Sequence, residues 1–128
     1  MADGGRRIAT DWAVPYPLLE RALAVAREAA ERHGVALPTV YGHSGNGHPH
    51  QDYVARNDAE VEVVERVIWE TLEQVMAMGG TVAAEHGIGK LKRKWMPLQL
   101  SAAQQAVMRG IKRALDPHGL MAPGNILA

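Results

Sequence analysis

Three histidines and three glycines fall within ten residues, Tyr41-Gly42-His43-Ser44-Gly45-Asn46-Gly47-His48-Pro49-His50. Imidazole is a common ligand for divalent metals, so a cluster this dense reads either as a metal pocket or as an exposed polar loop. Asn46-Gly47 is a dipeptide that favours the two central positions of a tight hairpin turn. In that arrangement Gly45 pairs with His48, Ser44 with Pro49 and His43 with His50. Directly opposed residues have Cβ atoms roughly 5 Å apart. Alternation along each strand then puts His43, His48 and His50 on one face, with Gly45 leaving space beside them. Pro49 cannot donate to the ladder, and a wider loop that gathers the same rings is the alternative.

A second reactive stretch is Glu85-His86-Gly87-Ile88-Gly89. Two imidazoles make an incomplete zinc-like site. A catalytic site adds a third protein ligand, often a carboxylate, and keeps one position open. Glu85 is the donor that completes the set. Glu85 and His86 point to opposite sides on an extended backbone, so one of them binds metal while the other does something else. A metal beside such a histidine suggests activation of an oxygen, with the histidine accepting its proton. Gly87 and Gly89 would aim both side chains at one cavity; an ordinary strand-to-helix turn explains them equally. His33 and His118 read as structural or solvated. The run Lys90-Leu91-Lys92-Arg93-Lys94 reads as a solvated face, or as a rim attracting carboxylate or phosphate.

The elements that must position these residues follow from periodicity. Ile8 to Val14 is a short apolar approach that Pro15 and Pro17 stop. Leu18, Leu19, Ala22, Leu23, Ala26, Ala29 and Ala30 recur at helical spacing, and Gly34 ends that helix. Val35 to Tyr41 reads as a strand feeding the histidine stretch, with Gln51 to Ala55 as its return arm. Asn57 to Glu60 resembles a capping box before a stripe of Val61, Val64, Ile68, Leu72 and Val75, and Gly79-Gly80 ends that helix. Thr81 to Ala84 is a strand candidate. Pro97 closes the basic segment. A last helix starts at Ser101, with Gln104 completing a capping box, and carries Val107, Met108, Ile111 and Leu115. Helices alternating with short strands predict an α+β fold, a small mixed or antiparallel sheet with helices packed mainly on one face. Residues 1 to 7 are expected to be a disordered lead and 8 to 128 one compact domain.

The 14 basic and 14 acidic side chains cancel, which argues against nucleic acid or an anionic membrane as main partner. The chain contains no cysteine, so any metal is held by nitrogen and oxygen. No segment approaches the roughly 20 apolar residues of a membrane span, and nothing resembles a signal peptide. A cytoplasmic protein is expected.

From Asp11-Trp12-Ala13-Val14-Pro15 to the end, the chain resembles the C-terminal domain of FAD-linked oxidases of the vanillyl-alcohol-oxidase type. That group includes glycolate oxidase, D-lactate dehydrogenase and D-2-hydroxyglutarate dehydrogenase. Gly42 to His50, Gly79-Gly80-Thr81 with Glu85 to Lys92, and Asp116 to Gly124 carry the resemblance, three motifs in order. It implies His43, His50 and Glu85 as ligands of a divalent metal, zinc foremost, and His86 as the catalytic base. It also implies flavin-side contacts from Gly87, Gly89, Lys92 and Asn125. The implied activity is oxidation of a 2-hydroxy acid. Asn46 stands where the family usually has aspartate, and Ala122 where it usually has asparagine. The resemblance places the FAD-binding domain upstream, in a partner domain or subunit, so this chain alone is expected to be inactive. Self-association is left open. A module that binds a divalent metal or an organic acid without redox activity is the other reading.

Overall fold

The computed structural model describes residues 4–127. Three strands, β1 (Arg6–Thr10), β2 (Thr39–His43) and β3 (His48–Ala55), form an antiparallel sheet in the order β1-β3-β2. The helices are α1 (Leu19–Arg32), α2 (Asp58–Ala77), α3 (Met96–Gln99) and α4 (Ala102–Leu115). This is the expected α+β arrangement. The chain divides into two compact units; the first runs to Glu85 and the second begins at His86.

In the first unit β3 is central, and alternation splits its side chains. Gln51, Tyr53 and Ala55 are buried toward the apolar layer, while His48, His50, Asp52 and Val54 lie on the opposite face. Gln51 is kept in the interior by its Oε1, which accepts from Trp12 Nε1 at 2.9 Å. The helix α2 packs on β1 and β3, and α1 packs on α2. The α2 stripe is buried at Val64, Ile68, Leu72 and Val75, with Val67 and Thr71 beside it. Each large aliphatic side chain there contributes about 1.5–3 kcal/mol. The buried face of α1 consists of Ala22, Ala26, Ala29 and Ala30, small side chains that let the two helices approach closely.

The helix ends match their sequence signals. Asn57 Oδ1 accepts from the Glu60 amide at 2.9 Å, although the Glu60 carboxylate reaches the Arg56 amide rather than that of Asn57. After α1, Val35 N donates to Ala30 O and Gly34 N to Glu31 O. Gly80 N and Gly79 N repeat the pattern on Val75 O and Met76 O after α2. Gly34 and Gly79 take φ of +67° and +78° there, the left-handed stop that glycine adopts without strain.

Several expectations are corrected. Arg6 and Arg7 are paired in β1, opposite Ala55 and Val54, and do not belong to the lead; residues 1–3 of that lead lie outside the described residues. The strand feeding the histidines begins at Thr39. Thr81 and Ala83 make isolated bridges to Ala13 and Asp11 in place of a strand. In the hairpin, His43 pairs with His48, Gly42 with Pro49 and Tyr41 with His50. The two-residue turn requires positive φ at Asn46 as well as Gly47, and only Gly47 adopts it. Ser44–Asn46 forms a 3-10 turn and Gly47 closes a four-residue loop. Gly47 O also accepts from Val14 N at 3.0 Å.

In the second unit Pro97 lies in the first turn of α3 instead of ending the segment before it. Ser101 and Gln104 form a complete capping box at α4. Lys112 Nζ donates to the Asp116 carboxylate and to Met121 O, and Asp116 accepts from the amides of Leu120 and Met121 at 2.9 Å each. This ties the turn after α4 to the helix. The apolar stripe of α4 is not a core face: Val107, Ile111 and Leu115 are 63%, 56% and 75% exposed.

Candidate metal centre

The corrected register moves pairing by two residues, and a shift of two leaves each side chain on its original face. His43, His48 and His50 therefore still share one face of the sheet. His43 stands opposite His48 with ring centroids 5.3 Å apart, and His50 is 4.6 Å from His48 and 5.6 Å from His43. His48 and His50 are buried, whereas His43 is exposed.

Glu85 joins them from the end of the first unit. Its Oε1 lies 3.2 Å from His43 Nε2 and 3.1 Å from His50 Nε2. Burial pushes the Glu85 carboxyl up, but the hydrogen bond with His43 and the nearby His43, His48 and His50 rings outweigh it and hold the group below its ordinary value. One ligand atom from each of His43, His48, His50 and Glu85 can be chosen so that all lie within 4.8 Å of one another. A mixed set of imidazole and carboxylate donors at this spacing suits zinc and similar divalent ions. The donors present therefore fit a metal.

Two neighbours escaped the reading of the sequence. Asp11, fully buried, lies with Oδ1 2.7 Å from His48 Nε2 and 3.6 Å from His50 Nδ1. The only signal was one acidic residue within the apolar approach Ile8 to Val14. On the other side of His50, Tyr41 packs its ring at 5.2 Å. The Tyr41 hydroxyl donates to Asp52 at 3.2 Å and accepts from Arg7, whose guanidinium pairs with Asp52 at 2.7 Å.

The remaining candidates belong to the second unit. His86 is exposed, and Gly87 and Gly89 take φ of +69° and +53°. Gly89 O accepts from Ile126 N at 2.8 Å, which brings the segment containing Asn125 beside that glycine. Lys92 is buried, in contrast to its exposed neighbours Lys90, Arg93 and Lys94, so the basic run is not uniformly a solvated face.

A family model described as FAD linked oxidases, C-terminal domain, matches residues 1–126. The chain belongs to that family. Among curated relatives, the glycolate oxidase subunit GlcD of Bacillus subtilis is 30% identical over 94% of this chain and 26% of its own length. The mitochondrial D-lactate dehydrogenase [cytochrome] of Arabidopsis thaliana is 29% identical over 99% of this chain and 23% of its own. A D-2-hydroxyglutarate dehydrogenase of Xanthomonas citri pv. viticola is 36% identical over 67% of this chain and 19% of its own. The chain thus spans about a quarter of the length of such relatives. Among the described residues, no helix is long and apolar enough to cross a membrane.

Proposed function

We propose that this chain is the metal- and substrate-binding part of a flavin-dependent oxidoreductase acting on a small 2-hydroxy acid. The observation that carries the proposal is the convergence of His43 Nε2 and His50 Nε2 on the one carboxylate of Glu85, within a family of FAD-linked oxidases. Relatives named for glycolate, D-lactate and D-2-hydroxyglutarate supply the substrate class.

His43, His50 and Glu85 would hold a divalent ion, zinc foremost, with His48 as a neighbour. When bound, the metal would supply Lewis acidity toward the substrate's hydroxyl and carboxylate, and the flavin would supply the redox chemistry. By holding that ion in a fixed place, His43, His50 and Glu85 would serve to orient the substrate. His86 takes the hydroxyl proton. Gly87, Gly89, Lys92 and Asn125 form the flavin-side contacts, a role supported by the Ile126 to Gly89 hydrogen bond between their two segments. The flavin itself is held mainly by a separate FAD-binding domain or subunit. The exposed Val107, Ile111 and Leu115 stripe offers that partner an apolar surface of the kind buried at interfaces. Cytoplasmic residence is part of the same proposal, supported by the cysteine-free composition.

The test is purification of the protein from its native source under conditions that keep its partners. Flavin absorbance should co-purify with it, and glycolate, D-lactate or D-2-hydroxyglutarate should bleach that absorbance; Glu85→Gln should abolish the bleaching. Protein that carries zinc without flavin and bleaches with none of the acids would favour the metal-binding module.

A further inference from the structure

The Asp11 carboxylate is completely buried. An isolated charge in the interior costs several kcal/mol unless it is paired and hydrogen-bonded, so its partners reveal its role. Oδ1 meets His48 Nε2 at 2.7 Å and faces His50 Nδ1 at 3.6 Å. Oδ2 accepts from the amides of Ala84 at 3.2 Å and Glu85 at 3.3 Å. The main chain adds a second clamp: Ala84 N donates to Asp11 O at 2.7 Å, and Asp11 bridges Ala83. Each of these partners is a ring on the histidine face, the Glu85 backbone, or one of the two residues before Glu85.

We infer that Asp11 is the positioning residue of the metal centre: it sets the tautomers of His48 and His50 and fixes where the Glu85 carboxylate stands. With His48 Nε2 carrying its proton toward Oδ1, that nitrogen is withdrawn from metal binding, and His48 becomes a wedge between Asp11 and the ligands. His50 Nδ1 stands 3.6 Å from the same oxygen, beyond hydrogen-bond reach, so there it is the facing carboxylate charge that favours the proton on Nδ1 and leaves the Nε2 lone pair beside Glu85 Oε1. A carboxylate behind a ligating imidazole fixes ring orientation and raises basicity, and its loss costs 10–100-fold in metal affinity. This inference rests on the metal reading above, and its test separates the two.

The full chain, stripped of metal and labelled with nitrogen-15, is compared as wild type, Asp11→Asn and His48→Gln. Two-bond proton–nitrogen spectra at about pH 8, where imidazole is ordinarily neutral, read the tautomers, and calorimetric zinc titration reads affinity. The expected wild-type result is one fixed tautomer each for His48 (Nε2–H) and His50 (Nδ1–H). Asp11→Asn should give mixed tautomers and zinc binding weaker by about 10–100-fold, with backbone spectra changed only around its partners Ala84, Glu85, His48 and His50. His48→Gln should disturb His50 less than Asp11→Asn does. Unchanged tautomers with unchanged zinc affinity in Asp11→Asn would overturn the inference. Tautomers that depend on Asp11 in a wild type that binds no zinc would uphold its control of the rings and defeat the metal reading.

Discussion

Gly42 faces Pro49 across the β2–β3 pair, and a Cβ at Gly42 would lie 2.7 Å from the His48 carbonyl oxygen and 3.0 Å from the His50 amide nitrogen. Its φ of +132° is also one that L side chains avoid. Glycine here lets the two strands cross closely enough to bring the histidine rings together. Gly42→Ala should therefore lose about 1–3 kcal/mol in urea unfolding. Gly45→Ala is the matched control, because a Cβ there meets open space; it should be neutral or stabilising by about 0.4–1 kcal/mol.

The hairpin shows why part of the site was legible and part was not. Local turn preference at Asn46-Gly47 favours a two-residue loop, but Gly47 is also held from outside by Val14, where a Cβ would come within 2.0 Å of the Val14 oxygen. That long-range contact cannot be read from the loop itself. The shared face survived because pairing moved by an even number of residues. Both main helices were legible from stripe and stop signals, since Val64, Ile68, Leu72 and Val75 recur at helical spacing and Gly34 and Gly79 follow the ends. Asp11 was not, because a buried carboxylate is defined by partners 37 to 74 residues away. The α4 stripe had the pattern of a core face and is exposed; periodicity reports a face that wants cover without saying what covers it.

Ala122 occupies the left-handed region, φ +46°, a conformation that costs an L residue roughly 1–2 kcal/mol and that asparagine tolerates better. Ala122→Asn, the residue the family usually has there, should raise stability by up to about 1 kcal/mol. Thermal melts of the two proteins check the sign.

The Lys112 ammonium, followed by the amides of Met121 and Leu120, holds the Asp116 carboxyl below its ordinary value despite opposing desolvation. A folded-state value below the unfolded one gives stability that is present above the ordinary aspartate range and lost as pH falls through the folded value. Asp116→Asn should therefore melt lower than wild type at neutral pH, and the gap should narrow as pH falls below the ordinary aspartate range. A gap independent of pH would contradict the charge interaction.

Burial raises the Tyr53 hydroxyl to about 12. Ultraviolet titration should show a tyrosinate component that forms only in that region, and Tyr53→Phe should remove it. Because the folded state resists ionisation, alkaline pH should favour the unfolded chain from about pH 10 upward.

Calorimetric titration of the metal-free chain with zinc, comparing wild type with His43→Ala, His50→Ala and Glu85→Ala, decides whether these three side chains hold a metal ion together. One ion should bind per wild-type chain, and each variant should lose at least about 10-fold in affinity. Equal binding by all four proteins, or none by the wild type, would contradict a shared metal site.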